Sequence, residues 1–303
     1  MKHSMRAFLF WSLLIFRLIP CFSQSGEESL RDWNRLRDSS PYSGYRVLGA
    51  MTEAYPGVVT DRFYLKGDWS CLVRGERFYW AGGRLLPEEA LDSQEEYAPY
   101  PFYPYSKEYE PDLMLFLGER EDALVKLINE REEYPLYRHP GFYDALYRLH
   151  DERTAWEMMK SVYFLGYKIT VHRDIMEDLA RVEETIQNRL AEDEELKAYL
   201  ESLTQVAGYS WREIAGTESR SNHSYGIAVD FLPRNYEGKN VYWRWSRDYY
   251  DQWYNLEWEE RYRPPASFIQ AFEEAGFVWG GKWLLFDSIH FEYRPEIGIL
   301  NGK

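Results

Sequence analysis

Two short stretches, Ser221-Asn-His-Ser-Tyr-Gly-Ile-Ala-Val-Asp230 and Asp287-Ser-Ile-His290-Phe-Glu292, constrain this chain more than any other part of it. In Ile227-Ala-Val-Asp230 the bulky Ile227 and Val229 fall on one face of a strand, leaving Ala228 and Asp230 on the other. The same alternation from Ile289 to Tyr293 puts His290 and Glu292 together. Read as neighbouring strands, the two stretches bring His223, Asp230 and His290 within reach of one cation. Zinc accepts imidazole nitrogen and carboxylate oxygen, and a catalytic zinc site needs three protein ligands plus an open position.

Around these three the sequence offers the other parts of such a site. Asp287 precedes His290 by three residues, so a tight turn can set its ionised carboxylate over the open position as a general base. Capping that turn is the plainer role for an aspartate there. Glu292 shares a face with His290 and can fix an imidazole N–H. Ser221 and Ser224 can orient His223 or its loop, and Gly226 permits a close backbone turn. Upstream, Arg212 can clamp a substrate carboxylate or stabilise an oxyanion, with Arg220 the next basic residue in line. His139, His150 and His172 lack companions at metal-ligand spacing. The glycosylation pattern Asn222-His-Ser224 overlaps the metal loop and is discounted.

The pattern Ser-x-His-x-x-Gly-x-Ala-x-Asp followed by Asp-x-x-His-Phe-Glu resembles the zinc peptidases of the D-alanyl-D-alanine carboxypeptidase family (peptidase family M15). That family includes VanY-type carboxypeptidases and the L-alanyl-D-glutamate endopeptidases of phage endolysins. The resemblance covers roughly residues 170–300, with Phe277-Val-Trp-Gly-Gly-Lys-Trp283 and His290-Phe-Glu-Tyr-Arg-Pro-Glu296 adding to it. It implies Zn2+ on His223, Asp230 and His290, Asp287 as the base, and peptidoglycan stem peptides as substrate. It also implies a substrate-binding arginine upstream, usually in a Tyr-Arg-Ser motif; here Tyr209-Ser-Trp-Arg212 departs from that pattern.

The rest of the chain bounds the setting. With a net charge of -14, it lacks the clustered Lys and Arg that phosphate binding requires, which argues against nucleic acid as partner. Residues 1–25 read as an export signal: Lys2 and Arg6, the apolar run Phe8–Phe16, then Ser23 and Ser25. That run is far shorter than the ~20 residues of a membrane span, so no transmembrane segment is expected after cleavage. Cys21 lies in the signal and Cys71 would then stand alone, which leaves no internal disulfide. Leu18-Ile-Pro-Cys21 faintly matches a lipid-acylation site, although Pro20 fits it badly. The expected location is the periplasm or cell envelope.

An α+β fold follows, with a small antiparallel sheet and helices carrying the zinc site at 151–303. Before it, 26–150 form an aromatic-rich region with β and then α character and no assigned role. The short apolar runs between Val58 and Leu86 predict strands, with a hairpin from Trp69 to Trp80. Residues 97–111, rich in Pro and Tyr, predict an extended segment packed by its rings. Helical spacing appears at Leu113–Glu130, Gly141–His150, Ala155–Phe164 and Ile175–Leu203, the last with Leu179, Val182, Ile186 and Leu190 on one stripe. Pro265 opens a further helix that Gly276 ends. Two activities fit: a secreted zinc peptidase, or a zinc-holding protein that binds cell-wall peptide without cutting it. Aromatic residues make up 18% of the chain, and most of them are expected to be core.

Overall fold

The metal-site strands belong to a four-stranded antiparallel sheet with two central and two outer strands. In spatial order these are β7 (Leu203–Ala207), β8 (Ala228–Pro233), β10 (His290–Tyr293) and β9 (Phe277–Trp279). Alternation fixes the two faces of its central pair. Phe231 and Phe291 point into the core, where they meet Phe268 and Phe272 of helix α7 (Ala266–Glu274). The ring centroids of these four phenylalanines lie 4.5–5.6 Å apart in every pairing, several of them edge to face. Each such contact contributes roughly 0.5–1.5 kcal/mol beyond area burial, so the rear of the sheet is a stiff backing for the polar front.

The computed structural model describes residues 42–111 and 137–302. The export signal, Cys21 and the helix expected over Leu113–Glu130 lie outside them. The architecture is α+β, as the patterning predicts. After helix α1 (Gly44–Ala54) comes an antiparallel sheet of β1 (Val59–Leu65), β2 (Asp68–Val73), β3 (Glu76–Tyr79) and β4 (Leu86–Pro87). The β2–β3 hairpin is the one expected between Trp69 and Trp80. Residues 97–111 carry neither helix nor strand. Instead Phe102 packs on Trp80, Tyr103 on Trp283, and the Tyr105 hydroxyl bonds Glu273. One hydrophobic core extends from Val47 to Phe291, and the described residues fall in a single unit, Pro41–Lys303.

Two helical expectations are corrected. Of Ala155–Phe164, only the start belongs to a helix, α3 (Glu152–Met158), which follows α2 (Gly141–Tyr147). Met159–Phe164 is strand β5, paired with β6 (Tyr167–His172) through a two-residue turn at Leu165 and Gly166. Both turn residues have positive φ, the geometry that matches the twist of a tight hairpin. Ile175–Leu203 is not one helix but two, α4 (Met176–Arg189) and α5 (Glu194–Ser202). Asp193 makes the break, because its carboxylate accepts the Leu196 N–H at 2.8 Å and so caps a new helix start. The stripe Leu179, Val182 and Ile186 is buried as expected. Among the described residues no helix is long and apolar enough to cross a membrane.

Candidate metal centre

The site begins at a short 3-10 turn, Asn222–Tyr225, capped by Ser221, whose hydroxyl accepts the His223 N–H at 3.3 Å. Gly226 then turns the chain into β8 with φ +66, and a Cβ there would come within 2.7 Å of the His172 nitrogen and closer still to Met159. Both the backbone conformation and the space admit only glycine. The turn delivers a buried His223 to the front of the sheet. There Asp230 and His290 stand directly opposite each other across β8 and β10.

His223 Nε2 lies 3.2 Å from Asp230 Oδ1 and 3.3 Å from His290 Nδ1, and His290 Nδ1 lies 2.9 Å from Asp230 Oδ1. Four-coordinate zinc at its usual bond lengths separates its ligand atoms by about 3.3 Å, so the triangle has the right size. The outer ring atoms give its chemistry. His223 Nδ1 is 2.7 Å from the Gly208 carbonyl, and His290 Nε2 is 3.2 Å from Glu292 Oε2. Both are acceptors, so each imidazole donates outward and turns a lone pair inward. With the imidazoles neutral in these tautomers, three acceptors converge on one point, an arrangement that a cation satisfies. Among the described residues these three form a group able to hold one ion.

Charge balance around the triangle agrees. Burial works against the charge of Asp230, yet hydrogen bonds from His223 and His290 hold its carboxyl well below the usual range. Burial likewise opposes a charged His290, but Asp230 and Glu292 push it up to about 10. This is the same pull toward positive charge that a metal ion would meet. Glu292, also buried, is kept down to about 2 by His290, Arg294 and Asn222. Its Oε2 accepts from Asn222 Nδ2 at 2.6 Å, and its Oε1 from Arg294 at 3.4 Å.

Asp287 sits beside the triangle. Its N–H donates to Gly280 O at 3.0 Å, and the His290 N–H reaches back to its carbonyl at 3.3 Å. Tyr242 forms an antiparallel bridge to it. Burial, the dominant influence, pushes its carboxyl up to about 6; Asp230 adds to this and His290 opposes it. It is thus a weaker acid than the sequence suggests, still ionised at neutral pH and nearer the pKa that suits a proton carrier.

Arg212 is exposed, with its guanidinium donating to the Glu213 carbonyl at 3.4 Å. Its main chain is tied to the metal loop: the N–H donates to Ser224 Oγ (2.8 Å), and the carbonyl accepts from Ser221 N (3.0 Å) and Ser224 Oγ (2.6 Å). Arg220 is committed elsewhere, paired with Asp144 and stacked on Trp211. His172 is buried against the Tyr147 carbonyl, away from the triangle's ligand set.

Several neighbours were not foreseen from sequence. Trp283 stands over His290 with ring centroids 5.5 Å apart. Arg294, buried, binds Glu292, Glu296 and the Pro101 carbonyl, while Tyr55 donates to Glu296 at 3.1 Å. This chain of contacts ties α1 and the aromatic segment to the metal ligands. Arg294→Met would leave the buried Glu296 without its cation and Glu292 with only His290 and Asn222, and removing one partner of a buried ion pair costs about 3–5 kcal/mol. A denaturant midpoint shifted down accordingly is the expected result; parental stability would show that the pairing contributes little.

Residues 215–293 match the family model described as D-alanyl-D-alanine carboxypeptidase, of peptidase family M15. The matched segment contains His223, Asp230, Asp287 and His290 and begins just after Arg212. Residues 47–102 match a second model, described as a domain of unknown function. No solved structure matches the chain. Over residues 215–293 the chain is similar to the M15 family of peptidases, which supports a peptidase segment of that type there.

Proposed function

We propose that the protein is an exported zinc metallopeptidase that hydrolyses peptide bonds in peptidoglycan stem peptides. The observation that carries this reading is the convergence of His223 Nε2, Asp230 Oδ1 and His290 Nδ1 with Asp287 beside them. When bound, zinc supplies Lewis acidity that polarises a carbonyl and makes a water at its open position acidic. The chain's own residues do the rest. Asp287 accepts the proton of the attacking water and passes it to the departing amine nitrogen, a transfer suited to a carboxyl raised by burial. Glu292 and the Gly208 carbonyl hold the two imidazoles in the tautomers that face inward. Trp283 shields the His290 side of the site.

Arg212 is assigned to the substrate. Acting as a bidentate clamp on a carboxylate, it would strengthen ground and transition states alike, so Arg212→Ala should raise KM about tenfold or more with kcat little changed. Arg212→Lys should not rescue it, because an ammonium lacks the planar fork. A fall in kcat at constant KM would instead point to an oxyanion role, and unchanged kinetics in a folded variant would make it an ordinary surface residue.

Incubating the zinc-loaded protein with purified peptidoglycan fragments and weighing the products tests the reading. Release of D-Ala would identify a carboxypeptidase, and cleavage after L-Ala an endopeptidase. Zinc bound with no product would overturn the peptidase reading in favour of a binding protein.

A further inference from the structure

Tryptophan is highly buried in most folded chains, yet two tryptophans here stand in solvent, Trp156 at 62% and Trp245 at 60% exposure. Every other described tryptophan is buried or half-buried. Both exposed rings are linked to the metal centre. Trp156, on α3, packs against Tyr209 with ring centroids 5.8 Å apart. Tyr209 lies between Gly208, whose carbonyl holds His223 Nδ1, and Ser210, whose N–H donates to the His223 carbonyl at 3.2 Å. Trp245 belongs to the short helix α6 (Trp243–Arg247) and meets the ring of Tyr242 edge to face at 5.7 Å. Tyr242 in turn stands opposite Asp287. Ser288 N donates to Val241 O at 2.9 Å and Trp243 N to Phe286 O at 3.0 Å. The pair between those two bonds therefore has its side chains close together on one face.

The strand register puts these two links at opposite ends of the site. Ala207 and His290 both stand opposite Asp230, one in each neighbouring strand, and Glu292 stands opposite Ala228. From that row β7 runs on toward the Ala228 end and leads to Tyr209. β10 enters the row from the Pro233 end, with Asp287 just ahead of it. The ligands thus lie between two outward-facing indoles, and Trp283 adds a half-buried ring 5.5 Å from His290. Neither indole belongs to a continuous apolar face. Glu152, Arg153 and Glu157 are exposed around Trp156, and the charged Arg247 and Asp248 separate Trp245 from the exposed Tyr249 in the chain. Rings set singly among polar groups do not make the contiguous patch that a protein partner or a membrane surface needs. They match a ligand that offers apolar faces one at a time along a polar chain.

We propose that Trp156 and Trp245 are two sugar-stacking positions that hold a glycan strand of peptidoglycan across the metal centre while its stem peptide enters. This rests on the peptidase reading and deepens it, from the peptide to the polymer that carries the peptide. A pyranose ring has an apolar face of C–H groups and a rim of hydroxyls. An indole covers the face by dispersion and leaves the rim to water, so the contact needs no charge. That suits a chain of net charge -14, which repels anionic polymers. In a strand bearing its stem peptides the lactyl carboxyls are bound up as amides, and the sugars are neutral. Because the stem is tied to the strand, a grip on both sides of the ligands raises the local concentration of stem peptide there.

Calorimetry of the zinc-loaded protein with the hexamer of N-acetylglucosamine, a neutral strand without peptide, tests the stacking positions. Saturable binding is expected, weakened about tenfold in Trp156→Ala and in Trp245→Ala and abolished in the double variant. Each variant should keep one zinc per chain. Phe63→Ala removes an exposed ring from the outer strand β1 and should bind the hexamer as the parent does. No binding by the parent, parental binding in the double variant, or an equal loss in Phe63→Ala would overturn the proposal. So would phosphatidylcholine vesicles that bind through the same two tryptophans while the hexamer does not. The parent's own titration needs no substitution, so a folding defect in a variant leaves it decisive. Failure of the peptidase reading shows separately, as hexamer binding by a protein that cleaves no stem peptide.

Discussion

Asp287→Asn is expected to bind one zinc per chain and to turn over stem peptide about 10²–10⁴ times more slowly than the parent, the usual loss when a general base is removed. The amide keeps the shape of the carboxyl and can still hold the turn, whose Gly280 and His290 bonds run through main-chain atoms. What it cannot do is accept the water's proton. The parent at saturating zinc should also lose activity as the pH falls and Asp287 takes up its proton. Burial places that change near pH 6, and a cation beside the carboxyl moves it lower. The variant's residual rate should lack this limb. Parental turnover in a zinc-loaded Asp287→Asn protein would remove the base assignment and leave the aspartate as a turn residue.

Loss of a ligand should have an effect as large and of a different kind. In His223→Ala or His290→Ala two acceptors remain, and two ligands hold zinc far more weakly than three. Near-complete loss of metal and of turnover is expected from each, measured as zinc per chain after dialysis. The second readout is stability. Anything that binds only the folded state stabilises it, so zinc should raise the parent's melting temperature and leave both variants nearly unmoved. Full zinc retention in both would take these residues out of the site. Ser221→Ala should be far milder, because Ser221 caps the turn that carries His223 and touches no inward-facing atom.

How much of this was legible beforehand depended on how far each partner lies along the chain. Alternation alone told which face of Ile227–Asp230 and Ile289–Tyr293 was polar, and their pairing put Asp230 opposite His290. The Leu179, Val182 and Ile186 stripe was equally plain, since a buried helix face repeats within its own segment. Errors came where local signals compete. Val162, Tyr163 and Phe164 satisfy helical spacing and strand alternation alike, and the deciding turn puts Leu165, an unlikely residue for positive φ, next to Gly166. Asp193 reads as one more acid on an acidic helix until its cap to Leu196 is seen. Contacts from distant residues left no local mark. Nothing near His223 says that the Gly208 carbonyl fixes its tautomer, and nothing near Arg220 says that Asp144 claims it.

The most direct test of the central claim is a zinc titration of the chelated protein, with stem-peptide cleavage as the readout. The account predicts no turnover without metal, and activity that rises in proportion to added zinc and levels off at one equivalent per chain. Cleavage that persists in the metal-free protein, or one zinc bound with no cleavage at all, would contradict it.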